Sequence, residues 1–158
     1  NAPEQGGSVS YPRISADGKY LLYTLSDYGT FPIWHDEAEL KMMDLQTMED
    51  VDISIWNADE SADSYHSWSS NGRWLVVASR REDGSYSRPY IAYFDKEGKA
   101  HKAFLLPQKD PEFNLLRMKS YNVPEFSKNA ITVSSETLKE VIYDDKKANT
   151  VKYSNKIK

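Results

Sequence analysis

Tyr11-Pro-Arg-Ile-Ser-Ala-Asp-Gly-Lys-Tyr-Leu-Leu-Tyr23 returns further along the chain as Tyr65-His-Ser-Trp-Ser-Ser-Asn-Gly-Arg-Trp-Leu-Val-Val77. The offset is 65 − 11 = 54 residues, and it holds without a gap. Each copy has the form of a β-hairpin: a short strand-like run, Asp17-Gly18 or Asn71-Gly72, then a nearly continuous apolar run. Asp-Gly and Asn-Gly supply the positive φ that tight hairpins need. The sequence therefore predicts strands over Tyr11–Ser15 and Tyr20–Leu25, and again over Tyr65–Ser69 and Trp74–Ser79. The second strand of each pair is apolar throughout, as expected where neighbours cover both of its faces.

Working outward, Glu39-Leu-Lys-Met-Met-Asp44 matches Tyr90-Ile-Ala-Tyr-Phe-Asp95 at an offset of 95 − 44 = 51. These are third strands, with exit turns at Gln46-Thr47 and Glu97-Gly98. A fourth strand is read where Val51, Ile53 and Ile55 alternate with Asp52 and Ser54. Its counterpart is Ala103–Leu106, ended by Pro107. Four strands repeated at this spacing are what propeller blades show. The expected fold is all-β: two four-stranded antiparallel propeller blades over residues 9–57 and 58–108, followed by a C-terminal closing segment over 109–158. No helix is expected within Tyr11–Asp44 or Tyr65–Asp95. In the last segment, Asp110–Phe126 shows no period. Thr137-Leu-Lys-Glu140 reads as a capping box, and Leu138, Val141 and Ile142 form a short helical stripe. Val151–Tyr153 reads as a brief strand, and the Lys-rich end from Lys146 to Lys158 is expected to fray.

Composition narrows the function. Aromatic residues make up 13% of the 158 residues, 11 of them Tyr, which suits half-buried pleated surfaces. A net charge of −4 gives no general attraction to nucleic acid or anionic lipid. The chain has no cysteine, which excludes disulfides, thiolate catalysis and zinc–thiolate sites. No apolar run reaches the roughly 20 residues of a membrane-spanning helix. The start, Asn-Ala-Pro-Glu, carries neither an initiator Met nor a signal segment, and the chain reads as the remainder of something longer.

Pro12-Arg-Ile-Ser-Ala-Asp-Gly-Lys19 resembles the blade signature of TolB-like, WD-repeat-like propellers. The second copy departs from it, with His66 for Pro and Asn71 for Asp. Thr24-Leu-Ser-Asp-Tyr-Gly-Thr-Phe-Pro-Ile-Trp-His35, His66-Ser-Trp-Ser-Ser-Asn-Gly72 and Lys119-Ser-Tyr-Asn-Val-Pro-Glu-Phe126 resemble the C-terminal part of Bacteroidetes-type TolB-like translocation proteins. The resemblance spans about residues 9 to 130. It implies roughly six blades in the parent ring, with the missing ones N-terminal to Asn1. It also implies a periplasmic location, including as part of a lipid-anchored protein. Fold does not dictate function, and propellers host many activities.

With strands running alternately down and up, the loops from second to third strand share one face with the connection between blades. Asp27–Asp36, Asn57–Ser64 and Arg80–Pro89 fall there. Trp34 and His35 lie on the first, Arg80, Arg81, Tyr86 and Arg88 on the last, and His66 at the start of the second blade. Trp, Tyr and Arg are the usual anchors of binding surfaces, and these seven residues are the candidate partner-binding set. The competing reading has Phe31, Ile33 and Trp34 tucked under the loop, with the arginines paired to acids such as Asp83. His35 and His66 are weak metal candidates, since ligand spacing is absent. Asp59-Glu60-Ser61-Ala62-Asp63 lacks the glycine and closing Glu of a calcium loop and reads as solvated. No Gly-x-Ser-x-Gly, His-Glu-x-x-His, P-loop or Gly-x-Gly-x-x-Gly motif occurs. The expectation is a non-catalytic module, without cofactor or metal, that binds a protein, peptide or glycan and self-associates through its first blade. Alternatives are the substrate-gating propeller of a dipeptidyl-peptidase-type serine peptidase and a metal-dependent oligogalacturonate-lyase-like propeller.

Overall fold

The computed structural model describes residues 6–144. The chain divides into two compact units, Asn1–Phe126 and Ser127–Lys158. Two four-stranded antiparallel sheets make up the first. Sheet one holds β1 (Ser8–Ile14), β2 (Tyr20–Ser26), β3 (Glu39–Asp44) and β4 (Asp50–Val51) in chain order. Sheet two holds β5 (Asp63–Trp68), β6 (Trp74–Ser79), β7 (Arg88–Phe94) and β8 (Ala100–Leu105), again in order.

The first hairpins of the two sheets are built from the same bonds. Ser15 Oγ donates to Asp17 Oδ1 at 2.7 Å and accepts from the Tyr20 N–H at 3.0 Å, while Gly18 N–H reaches Ser15 O at 2.9 Å. In the second hairpin Ser69 Oγ donates to Asn71 Oδ1 at 2.7 Å and accepts from Trp74 N–H at 2.9 Å. Gly72 N–H reaches Ser69 O at 2.9 Å. Only the glycines take positive φ, 75° and 65°. Asp17 and Asn71 serve instead as side-chain acceptors for the turn. A bulge also recurs 54 residues on. The β1–β2 register slips between Ser10 and Arg13, and the β5–β6 register slips between Ser64 and His66. Tyr11 and Tyr65 occupy these bulges at φ 53° and 43°, a conformation disfavoured for bulky side chains. Their rings meet edge to face at 5.0 Å.

Two expectations about the sheets change. Tyr20 lies opposite Asp44 and Trp74 opposite Tyr93. The ladder therefore equates Asp44 with Tyr93, an offset of 93 − 44 = 49 rather than 51. A slip of two leaves every side chain on its own face, which is why the hydrophobic pattern tolerated it. The fourth strand of sheet one is only Asp50–Val51, and the alternating run beyond it is not a strand. Asp52 Oδ1 accepts from Ser54 N–H and Oγ, and a 3₁₀ turn over Ser54–Trp56 follows. This turn sends Ile53 and Trp56 into the core, a larger burial than a solvent-edge strand would give them. A second 3₁₀ turn, Pro32–Trp34, lies in the β2–β3 connection, where no helix was expected.

The core lies between the sheets, and the faces that meet are not equivalent. Sheet one contributes Leu22, Leu40 and Met42; sheet two contributes Leu75, Val77, Tyr90, Ala92 and Phe94. Leu22 corresponds to Val76 under the 54-residue offset, yet it packs against the side of sheet two that carries Leu75 and Val77. One face of sheet one thus packs on the opposite face of its repeat. Trp56 fills the space between, its Nε1–H donating to His101 O at 2.9 Å and its ring against Phe94 at 5.8 Å.

After β8 the first unit continues through α1 (Phe113–Leu116) to a strap whose Tyr121 N–H bonds Ser87 O at 2.9 Å. The second unit contains α2 (Ser135–Tyr143). Its cap is Ser134, whose Oγ accepts from Thr137 N–H at 3.1 Å, so the cap lies three residues before the one read from sequence. Leu138, Val141 and Ile142 lie on α2 and are exposed. Val151–Tyr153 and the stretch from Lys146 to Lys158 lie outside the described residues.

Candidate functional site

The β2–β3 and β6–β7 connections and the strap converge on one side of the sheets. Between them is a cleft of about 300 Å³, walled by Trp34, Tyr65, Arg80, Ser87 and Tyr121. The turn Pro32–Trp34 carries Trp34 to its rim, entered through Phe31 at φ 57°. Pro32 and Ile33 bury beneath it, leaving Trp34 68% exposed. The Arg80 guanidinium lies 4.8 Å from the centre of that indole, a cation–π contact at the mouth of the cleft.

Arg80 is held by backbone carbonyls, with no carboxylate at hydrogen-bonding distance. Its Nη1 donates to Ile33 O at 3.3 Å and its Nη2 to Gly84 O. The Asp36 carboxylate stands 3.9 Å away on an exposed side chain, and Nε makes no hydrogen bond. Tyr65 is buried behind Arg80; burial, then its bond with Tyr11, pushes its phenol pKa up to about 12 and keeps it a neutral donor. Ser87 is joined to the strap three times. Its N–H bonds Ser120 Oγ at 3.2 Å, its Oγ donates to Tyr121 O, and its carbonyl takes the Tyr121 N–H. That ladder fixes the wall opposite Trp34.

The other candidate residues lie elsewhere. Arg81 pairs with the fully buried Asp63 at 2.7 Å, donates to Trp56 O at 2.7 Å and stacks on Tyr90 at 4.3 Å. Burial raises the Asp63 pKa, and Arg81 works against that rise. Asp63 ends the acidic run read as a solvated loop; being fully buried, it corrects that reading. Arg88 is buried, donating to Asn114 O at 2.5 Å and Tyr86 O at 2.9 Å and pairing with Asp83 at 2.8 Å. Burial resists ionisation of Asp83, but backbone N–H groups and Arg88 outweigh it and bring its pKa to about 2. Tyr86 is half-buried beside this pair.

His66 lies between the sheets, its Nε2 3.3 Å from Leu22 O; a carbonyl only accepts, so the proton sits on Nε2. His35 is tied into its own loop, with Nδ1 3.2 Å from Glu37 and its ring against Tyr28 at 4.7 Å. Among the described residues no cluster of three or more His, Asp or Glu side chains could hold a metal ion.

Of the residues singled out from sequence, the fold brings Trp34 and Arg80 together in the cleft. Arg81, Arg88 and His66 are held behind it by partners of their own. Sequence reasoning missed Tyr65 and Tyr121 as walls. The repeat marked Tyr65 only as a strand start, and no local pattern announced that Tyr121 would fold back onto Ser87. No helix among the described residues is long and apolar enough to cross a membrane. No protein family, curated protein or solved structure matches the chain.

Proposed function

We propose that this chain is a TolB-like β-propeller module, non-catalytic, that binds a protein, peptide or glycan partner on the side where its long connections converge. The observation that carries the reading is the pairing of an exposed Trp34 with a largely buried, under-partnered Arg80 in a cleft built by three segments. An exposed aromatic over a cation on rigid supports is how binding hot spots are made. The propeller reading is supported by the non-equivalent faces of the two sheets. A head-to-tail contact repeats until it closes on itself, as blades do in a ring. In this reading Arg81, Arg88 and His66 shape the binding side from behind. Location in the periplasm, free or on a lipid-anchored parent, rests on the resemblance of Pro12–Lys19 and Lys119–Phe126 to TolB-like proteins.

The test immobilises the protein and screens defined peptides and a glycan array. Trp34→Ala should lower capture of whatever binds at least tenfold without moving the melting temperature. Trp74→Ala, on a sheet face away from the cleft, should leave capture unchanged. The reverse pattern would place the binding site elsewhere.

A further inference from the structure

We propose that the cleft at Arg80 binds the C-terminal residue of a peptide chain, taking its α-carboxylate on the guanidinium and its side chain between Trp34 and Tyr121. This rests on the binding reading above and names its ligand class.

Charge comes first. The chain carries a net −4, yet no Asp or Glu lines this cleft. The cation there is Arg80, with a side chain only 13% exposed. Guanidinium has five N–H donors, and Arg80 directs two of its nitrogens at carbonyls, one of them at 3.3 Å. Arg81 and Arg88 differ, since each holds a carboxylate within 2.8 Å. Asp36 at 3.9 Å is beyond hydrogen-bonding distance, so Arg80 retains capacity for a carboxylate, which its planar fork accepts in two-point fashion.

Shape decides what carries that carboxylate. About 300 Å³ is at the small end of ligand pockets, with room for one or two residues. The cation and the Trp34 ring are 4.8 Å apart. A C-terminal residue fits this closeness, because its carboxylate and its side chain leave the same carbon. An internal acidic residue would need its main chain to run on past both walls. A sugar acid would present several hydroxyl donors, and carboxylate acceptors for them are absent from the lining. The hydroxyls of Ser85 and Ser120 and the amide of Asn122 add donors for an anion.

Asp36 makes the proposal testable without disturbing the fold, because its side chain is 70% exposed and competes with the ligand for Arg80. The probes are N-acetyl-L-phenylalanine, its C-terminal amide and D-glucuronate, titrated calorimetrically into the whole chain. The acid should bind at least tenfold more tightly than the amide. Asp36→Asn should tighten the acid severalfold and leave the amide where it was, and Trp34→Ala should weaken the acid. Arg80→Gln, checked for an unchanged melting transition, should lose the preference for acid over amide. Equal binding of acid and amide, or no response to Asp36→Asn, overturns the carboxylate site. Tighter binding of D-glucuronate than of N-acetyl-L-phenylalanine overturns its assignment to a peptide. If these probes fail while Trp34→Ala still lowers capture in the screen above, this proposal falls alone; if both fail, the binding side falls with it.

Discussion

Three arginines close together in sequence do three different things, and their carboxylates decide which. Arg81 neutralises Asp63, a side chain with no exposure at all. Removing one partner of a buried pair leaves an uncompensated charge, which costs about 3–5 kcal/mol. Arg81→Met should therefore destabilise the chain by that amount in denaturant titrations. Trp34→Ala should stay within about 0.5 kcal/mol, as exposed substitutions do. A cost below about 1 kcal/mol for Arg81→Met would show that Asp63 finds water or a proton. His66 supplies a second check. Burial holds its pKa down to about 4 from the ordinary 6.5. The unfolded chain then takes up the proton first, so this contribution to stability is complete above about pH 6.5 and is lost as the pH falls toward 4. The slope reaches at most about 1.4 kcal/mol per pH unit. Unfolding free energies measured across that window should fall more steeply for the native chain than for His66→Gln. Parallel curves would mean that His66 is solvated.

At the scale of elements, the hairpin turns are the most legible part of the chain. Ser-x-Asp-Gly and Ser-x-Asn-Gly close their own loops through local bonds, so the same spacing gives the same turn 54 residues later. Ser15→Ala and Ser69→Ala should each cost about 1 kcal/mol, the loss of one side-chain bridge. The turns share no hydrogen-bond partner, but Ala16 of the first lies beside Gly72 of the second. The double variant should lose the sum in a thermal melt if that contact carries no coupling. A double variant well off that sum would mean that the two turns communicate. Other elements were illegible for stated reasons. Val51, Ile53 and Ile55 alternate as a strand does, but the choice between strand and turn lay with Trp56 and its reach to His101 O across the core. The 49-residue ladder offset was hidden because a slip of two preserves the pattern. Of the site, Trp34 and Arg80 were legible as binding types on long connections. Asp63 and Tyr121 were not, since their roles come from pairings with Arg81 and Ser87 made only in the folded chain.

At the scale of the whole molecule, the order of faces has consequences of its own. Sheet one keeps Leu21, Tyr23, Leu25 and Met43 on the side away from sheet two. Sheet two keeps Trp74, Ile91, Tyr93 and Phe104 on the side away from sheet one. By the repeat, these are the counterparts of the two faces that meet in the core. The second is partly open to solvent, with Trp74 38% and Phe104 46% exposed, whereas on the first Tyr23 is buried and Leu21, Leu25 and Met43 are half-buried. Exposed apolar faces of this kind drive association. Here the complementary faces sit on opposite sides, so association should run head to tail and grow with concentration, rather than stop at a two-fold dimer. Light scattering of the native chain should show a mass that climbs through the micromolar range. Met43→Lys closes one face, and Trp74→Lys with Phe104→Lys closes the other. Each variant alone should be monomeric if association is head to tail, because the remaining open face has no open complement. Mixed one to one, each supplies the face that the other has lost, and the mixture should give a dimer and nothing larger. If either variant alone still forms a dimer, the contact is two-fold between like faces. The non-equivalence seen between the two sheets would then end within the chain.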